Sequence, residues 1–224
     1  VVGGYKIYLA GSHTLYQKIK AAYQDKGLRD FDYHFMSGVY EHDFEVEEAT
    51  FDTLPAVKES SVPAGGHLEG NRIGFDAGGS DRKVSAVVDG KTIYSEEVVW
   101  FPKTNEDPKY HYDGIYTAMK TAAEKMGNKI DAIGVSSAGV YIDNKIMVAS
   151  LFVKVPKDLF EKHVKYMYID IAKQLEKEVG HPIPLEVAND GDVTALAGAM
   201  ELKDTNVLGI AMGTSEAAGY VDSN

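Results

Sequence analysis

Arg72-Ile-Gly-Phe-Asp-Ala-Gly-Gly-Ser-Asp-Arg-Lys83 sets one carboxylate at the end of an apolar run and follows it with two glycines and a hydroxyl. A strand ending in a tight turn accounts for this, because glycine supplies backbone angles that other residues avoid. The same residues suit a second purpose, in which the glycine amides face a phosphate and the acid organises its magnesium. The flanking sequence extends the pattern. Residues 72–75, 84–88 and 92–100 read as three successive strands, with Asp81-Arg82-Lys83 and the hairpin dipeptide Asp89-Gly90 at the reversals. That order is an antiparallel meander.

Downstream, helices and strands alternate. A helix is expected from about residue 113, with Ile115, Tyr116, Met119, Ala122, Ala123 and Met126 on one face and Gly127 placed to end it. Residues 131–135 form a short buried strand, and a hairpin follows about Asp143-Asn144. The longest helix is expected over 158–179, with Phe160, Val164, Met167, Tyr168, Ile171, Leu175 and Val179 at core spacing, stopped by Gly180 and Pro182. A strand at 185–188, a helix at 192–201 and a strand at 207–212 complete the order. Three strands followed by alternating helices and strands indicate a mixed α/β sheet.

Upstream, residues 5–9 read as a strand and a helical period runs over 14–26, whereas 31–56 carry no clean period. The stretch Val57-Lys-Glu-Ser-Ser-Val-Pro-Ala-Gly-Gly-His-Leu-Glu-Gly70 has the composition of a connection, so the domains are expected at 1–70 and 71–224.

Composition bounds the function. The 224 residues carry a net charge of -11, which argues against nonspecific binding to nucleic acid or an anionic membrane, since both need clustered Lys and Arg. There is no cysteine, hence no disulfide framework and no thiolate nucleophile, as expected of a reducing, cytoplasmic setting. No apolar run is long enough to span a bilayer. The chain starts without Met and stops just after a glycine-rich apolar segment, so an excerpt of a longer protein is expected. The seven histidines show no metal-ligand spacing, and Gly134-Val-Ser-Ser-Ala-Gly139 misses the Gly-x-Ser-x-Gly elbow of serine hydrolases.

Four Gly- or Asp-bearing turns follow four expected strands: Asp76-Ala-Gly-Gly-Ser80, Ser136-Ser-Ala-Gly139, Asn189-Asp-Gly-Asp192 and Gly213-Thr-Ser-Glu216. In open α/β sheets ligands bind outside the carboxyl ends of the strands, so these turns can converge on one cleft suited to a polyphosphate and its metal. Taken singly, the first is better read as ordinary turn chemistry and Asn189-Asp190 as a helix N-cap.

The ordered set, with Ile133-Gly-Val-Ser-Ser-Ala-Gly139, Asn189-Asp-Gly-Asp-Val-Thr-Ala-Leu-Ala-Gly198 and Gly209-Ile-Ala-Met-Gly-Thr214, resembles the sugar kinase, heat-shock ATPase and actin superfamily. Within it the spacing is most similar to the bacterial glucokinase-like family known as ROK (repressor, open reading frame, kinase). The resemblance covers residues 72–222. It implies a ribonuclease-H-like, actin/hexokinase-type lobe of a two-lobed kinase that uses ATP and Mg to phosphorylate a hexose or an N-acetylated amino sugar. It further implies Asp76 as the acid that organises magnesium, Gly78, Gly79 and Ser80 as the first phosphate loop, and Gly213, Thr214 and Ser215 as the second. Asp190 becomes the general base, with Ser137, Gly139 and Asn189 beside it in the sugar site. A homodimer is the assembly the resemblance leaves open.

The chain departs from the family pattern at three places. Gly213-Thr-Ser-Glu-Ala-Ala-Gly219 carries a charged side chain where the family has further glycines, the loop after Gly79 is longer and more charged, and Ser136-Ser137 replaces a proline-containing turn. A second lobe with a sugar-contacting Glu and His and a Cys/His zinc site would lie beyond Asn224. Two other readings accompany the kinase. One is a sugar-sensing regulator, against which stands the excess of acidic over basic residues in 1–70. The other is a degenerate binding module, for which Glu216 is the hint.

Overall fold

The computed structural model describes residues 4–56, 65–213 and 216–223. The chain divides into two compact units, residues 1–62 and 63–224.

In the first unit β1 (Lys6–Ala10) pairs in parallel with β2 (Glu45–Ala49), and α1 (His13–Ala22) and α2 (Asp30–Tyr40) make the crossover between them. Ser12 caps α1 by accepting from the Leu15 amide at 3.3 Å, and Glu41 in the left-handed region ends α2. Lys6 holds Glu45 and Glu47 at 2.8 Å each, which raises its ammonium above the ordinary value. His34 Nε2 lies 3.0 Å from Asp25 Oδ1 and 3.4 Å from Asp30 Oδ1, so the fold gathers a histidine and two acids that no sequence spacing marks. The stretch 31–56, aperiodic in sequence, is a helix and a strand with physical reason for lacking a period. Val39 is the one residue α2 buries among those described, and the strand Glu45-Val-Glu-Glu-Ala49 buries Val46 alone.

The second unit is built on a five-stranded mixed sheet of order β5-β4-β3-β6-β9. The meander is β3 (Asn71–Ala77), β4 (Asp81–Val88) and β5 (Lys91–Val99), reversed at 78–80 and at Asp89-Gly90, both of which have positive φ as the hairpin turn requires. β6 (Ala132–Ser137) and β9 (Leu185–Asn189) add in parallel. This is the mixed α/β sheet, a meander followed by alternating helices and strands, expected from the sequence. A small hairpin, β7 (Val140–Ile142) and β8 (Lys145–Val148), lies between them in sequence.

Side-chain alternation gives the sheet two faces. Ile73, Phe75, Ala77, Val84, Ala86, Ile133, Val135 and Val187 fill the core together with α3 (Pro108–Lys125) and α5 (Met167–Val179), through Ile115, Met119, Ile171 and Leu175. α3 begins earlier than its apolar period suggests, because Asp107 accepts from the Lys109 amide at 2.9 Å and Pro108 occupies the first helical position. The single helix expected over 158–179 is broken into α4 (Lys157–Leu159), a π turn at Phe160–Val164 and α5. Tertiary structure causes the break: the Ile146 amide of β8 donates to the Lys165 carbonyl at 2.9 Å. The apolar spacing survives, since Val164, Met167, Tyr168, Ile171 and Leu175 are all buried.

On the opposite face lies α6 (Asp190–Leu202), followed by the hairpin of β10 (Val207–Met212) and β11 (Glu216–Val221). Helix and hairpin touch backbone to backbone. A Cβ on Gly191 would sit 2.7 Å from Ala218, and one on Gly209 or Gly219 would overlap the α6 backbone at Ala195 or Asp192. Among the described residues no helix is long and apolar enough to cross a membrane.

Candidate active site

Register builds the site. Asp76, Ser136 and Ala188 form one row across β3, β6 and β9, and Ala77, Ser137 and Asn189 form the next. The three parallel strands therefore end level, and each is followed at once by a turn: Gly78-Gly79-Ser80, Ala138-Gly139 and Asp190-Gly191. Above them opens a cleft of about 600 Å³ whose lining includes Asp76, Gly79, Ser80, Ser136, Asp190 and Gly213. Along α6, Asp190, Val193, Thr194 and Ala197 present one helical face to it.

Most of the residues singled out in sequence meet here, and some do not. Asp76, Gly78, Gly79, Ser80, Asp190 and Gly213 line the cleft. Asn189 lies at its edge as a structural joint: its Nδ2 donates to the Gly139 carbonyl at 2.9 Å and its Oδ1 accepts from the Gly191 amide at 2.8 Å. Ser137 faces away. It is fully buried, within 3.2 Å of the Tyr168 hydroxyl, whose pKa burial pushes up. The pleat gives the cleft to Ser136 instead. Gly139 is a backbone necessity, with φ of 149° and no room for a Cβ beneath the Val148 carbonyl. Thr214 and Ser215 lie outside the described residues. Glu216 opens β11, exposed and paired with Met212, rather than lining the cleft.

Electrostatics separates the acids. Lys83 grips Asp81 at 2.6 Å, and this bond, helped by Ser80 at 2.9 Å, holds the Asp81 carboxyl below the usual carboxylate range. Asp76, directly across the ladder from Lys83, is left facing the cleft. Asp190 spends one oxygen on the Gly191 amide at 3.1 Å, and a carboxylate has acceptor capacity beyond that. Burial pushes up Asp192, on the next stretch of α6. Two carboxylates, a glycine turn and a helix N-terminus make a set of hard oxygen donors and amides, which suits Mg with a polyphosphate: Mg takes one or two carboxylates and keeps its other positions for water and phosphate.

Among the cleft residues that escaped the sequence reading are the charged Asp81, Lys83 and Lys103. Lys103 sits in the 3-10 turn Pro102–Thr104, where the only available signal was a lysine next to a proline after a strand.

No family model matches the chain, and a search of curated proteins returns no match. The fold is similar to that of ROK-family sugar kinases of known structure. The ROK hexokinase from Thermus thermophilus is 18% identical, with a TM-score of 0.46 over 68% of this chain and 46% of that one. The inorganic polyphosphate/ATP-glucomannokinase from Arthrobacter sp. strain KM is 22% identical, with a TM-score of 0.48 over 67% and 57%. The glucokinase from Parabacteroides distasonis is 21% identical, with a TM-score of 0.49 over 70% and 45%. The chain spans about half the length of these structures.

Proposed function

We propose that this chain carries the catalytic half of a sugar kinase, transferring the terminal phosphoryl group of ATP to a hydroxyl of a hexose or an N-acetylated amino sugar. One observation carries the reading: the level ends of β3, β6 and β9 put Asp76, the Gly78-Gly79-Ser80 turn and Asp190 at a single cleft. Phosphoryl transfer asks a protein mainly for positioning and charge compensation, and these groups supply both. Asp190 accepts the proton of the attacking hydroxyl as its oxygen bonds to the terminal phosphorus and the bond to the bridging oxygen breaks. Asp76 would hold Mg, which would supply charge neutralisation on the phosphates. The amides of 78–80, with Gly213 across the cleft, would cradle the phosphate oxygens.

The likeness in fold to a ROK hexokinase and an inorganic polyphosphate/ATP-glucomannokinase agrees with this reading. The test is a phosphorylation assay over a panel of hexoses and N-acetylated amino sugars with Mg-ATP. Sugar-dependent ADP release is expected, falling by about 100-fold or more in Asp190→Asn while sugar affinity changes far less. Absence of turnover with every sugar, together with an Asp190→Asn variant that binds sugar and nucleotide as the parent does, would reduce Asp190 to a helix cap.

A further inference from the structure

The structure assigns a divalent-metal site of the zinc class to Asp25, Asp30 and His34, at the entry of α2. The site belongs to the first unit alone and is independent of the kinase reading.

The three donors converge. One atom from each of the two carboxylates and the imidazole lies within 4.8 Å of the others, and among the described residues no other trio of His, Asp and Glu side chains meets in this way. His34 Nε2 is 3.0 Å from Asp25 Oδ1 and 3.4 Å from Asp30 Oδ1. A proton serves such an arrangement poorly, because one N–H points well at only one of two oxygens. A metal ion serves all three donors at once. With bonds of about 2.0–2.2 Å to nitrogen and oxygen, a tetrahedral zinc site sets its donors roughly 3.3–3.6 Å apart, and both distances from His34 lie within a few tenths of an ångström of that edge.

Local structure holds each donor. Asp30 and His34 stand four residues apart on α2, so they share one helical face. The turn before the helix brings Asp25 to them: Lys26 has a φ of 61°, and Gly27 is packed so closely that a Cβ there would sit 2.4 Å from the Ala22 carbonyl oxygen. The Lys26 amide donates to Asp30 Oδ1 at 2.6 Å, orienting that carboxylate from behind as outer partners orient metal ligands, and the carboxylate keeps further acceptor capacity. Tyr33 stands edge-on to the His34 ring, centroids 5.0 Å apart. Arg29, beside Asp30 in sequence, gives its guanidinium to Asp32 at 3.3 Å.

The donor set selects the ion. Mg and Ca prefer shells made wholly of oxygen, whereas imidazole suits zinc and its neighbours among the transition metals. Two carboxylates balance a divalent charge, and three protein ligands with one water complete a four-coordinate shell. Asp25 and His34 are exposed and Asp30 is half-buried, so that water and the ion itself come directly from solvent.

Calorimetry of the metal-free chain with zinc chloride tests the assignment, with Mg in excess to fill sites made of oxygen alone. Zinc should bind saturably, and His34→Ala and Asp25→Asn should each weaken it by about 10-fold or more, since losing even an outer partner of a metal ligand costs roughly 10- to 100-fold. Far-UV circular dichroism checks that both variants keep the parent's helices. Nitrogen-15 NMR of the parent gives a readout that needs no stable variant: the His34 imidazole resonances, assigned by their loss in His34→Ala, should move as zinc is added. Parent-like zinc affinity in either variant overturns the assignment. So does a parent chain that takes up no zinc, or one whose His34 ring does not respond to it, and each leaves His34 and Asp25 as an ordinary surface pair.

Discussion

Asp76 and Asp190 reach the same cleft by different routes, one on the next-to-last residue of a strand and the other on the first turn of a helix, and their substitutions should differ accordingly. Asp76→Asn keeps size and hydrogen bonding but removes charge directed at the metal. It should weaken Mg-ATP binding by about 10-fold or more with sugar binding unchanged, measured by calorimetry with each ligand. Glycines separate in the same way. Gly139→Ala places a methyl against the Val148 carbonyl at φ 149° and should destabilise by about 2–4 kcal/mol in urea unfolding. Gly134, with nothing within 4 Å of an added Cβ, should accept Ala with a gain or a loss below about 1 kcal/mol. At this scale the sequence displays the turn chemistry of the cleft, because Asp and Gly at strand ends announce themselves. Ser136 against Ser137 was decided by pleat parity, which a one-residue shift of register reverses.

At the scale of elements, Asn189 joins three of them: it ends β9, caps α6 and holds the Gly139 carbonyl beyond β6. Asn189→Ala should cost about 1–2 kcal/mol through the lost cap and bond, and Asn189→Asp should recover part of it through the cap alone. The pairing of α3 with α5 carries a titratable link. Glu178 binds Lys120 at 2.5 Å and also Tyr116 and Gln174, which together hold its carboxyl at about 2 instead of the ordinary 4.5. Since the folded value is depressed, this link stabilises fully above about pH 4.5 and is lost as pH falls toward 2. Glu178→Gln should therefore lower the urea midpoint slightly at pH 7, by about 1 kcal/mol or less, and flatten the acid limb of a midpoint-against-pH curve. Elements with a one-sided apolar period, β3, β4, β6 and α5, are plain in the sequence. α2 and β2 are not, since they bury one residue each, and the break before α5 is not, since β8 imposes it from outside.

For the whole molecule, the two units differ in how much core they own. Among the described residues of the first, Val39, Phe44 and Val46 are the buried apolar side chains, whereas the second buries the whole cluster around Ile73, Ile115, Ile133 and Leu175. Native-state hydrogen exchange should accordingly show the amides of β1 and β2 opening at lower free energy than those of β3 and β6, and equal protection would contradict that ranking. Order along the chain made the α/β class of the second unit legible, since a meander followed by helix-strand alternation leaves few sheet topologies. The cleft itself exists only once the three strand ends are level. A crystal structure of the chain with Mg and a non-hydrolysable ATP analogue therefore examines the central claim most directly. The account predicts phosphate oxygens within hydrogen-bond reach of the amides of residues 78–80 and the metal on the Asp76 side of the cleft, with Asp190 open toward the sugar. A nucleotide seated elsewhere on the molecule, or phosphates turned away from Asp76 and the glycine turn, would contradict it.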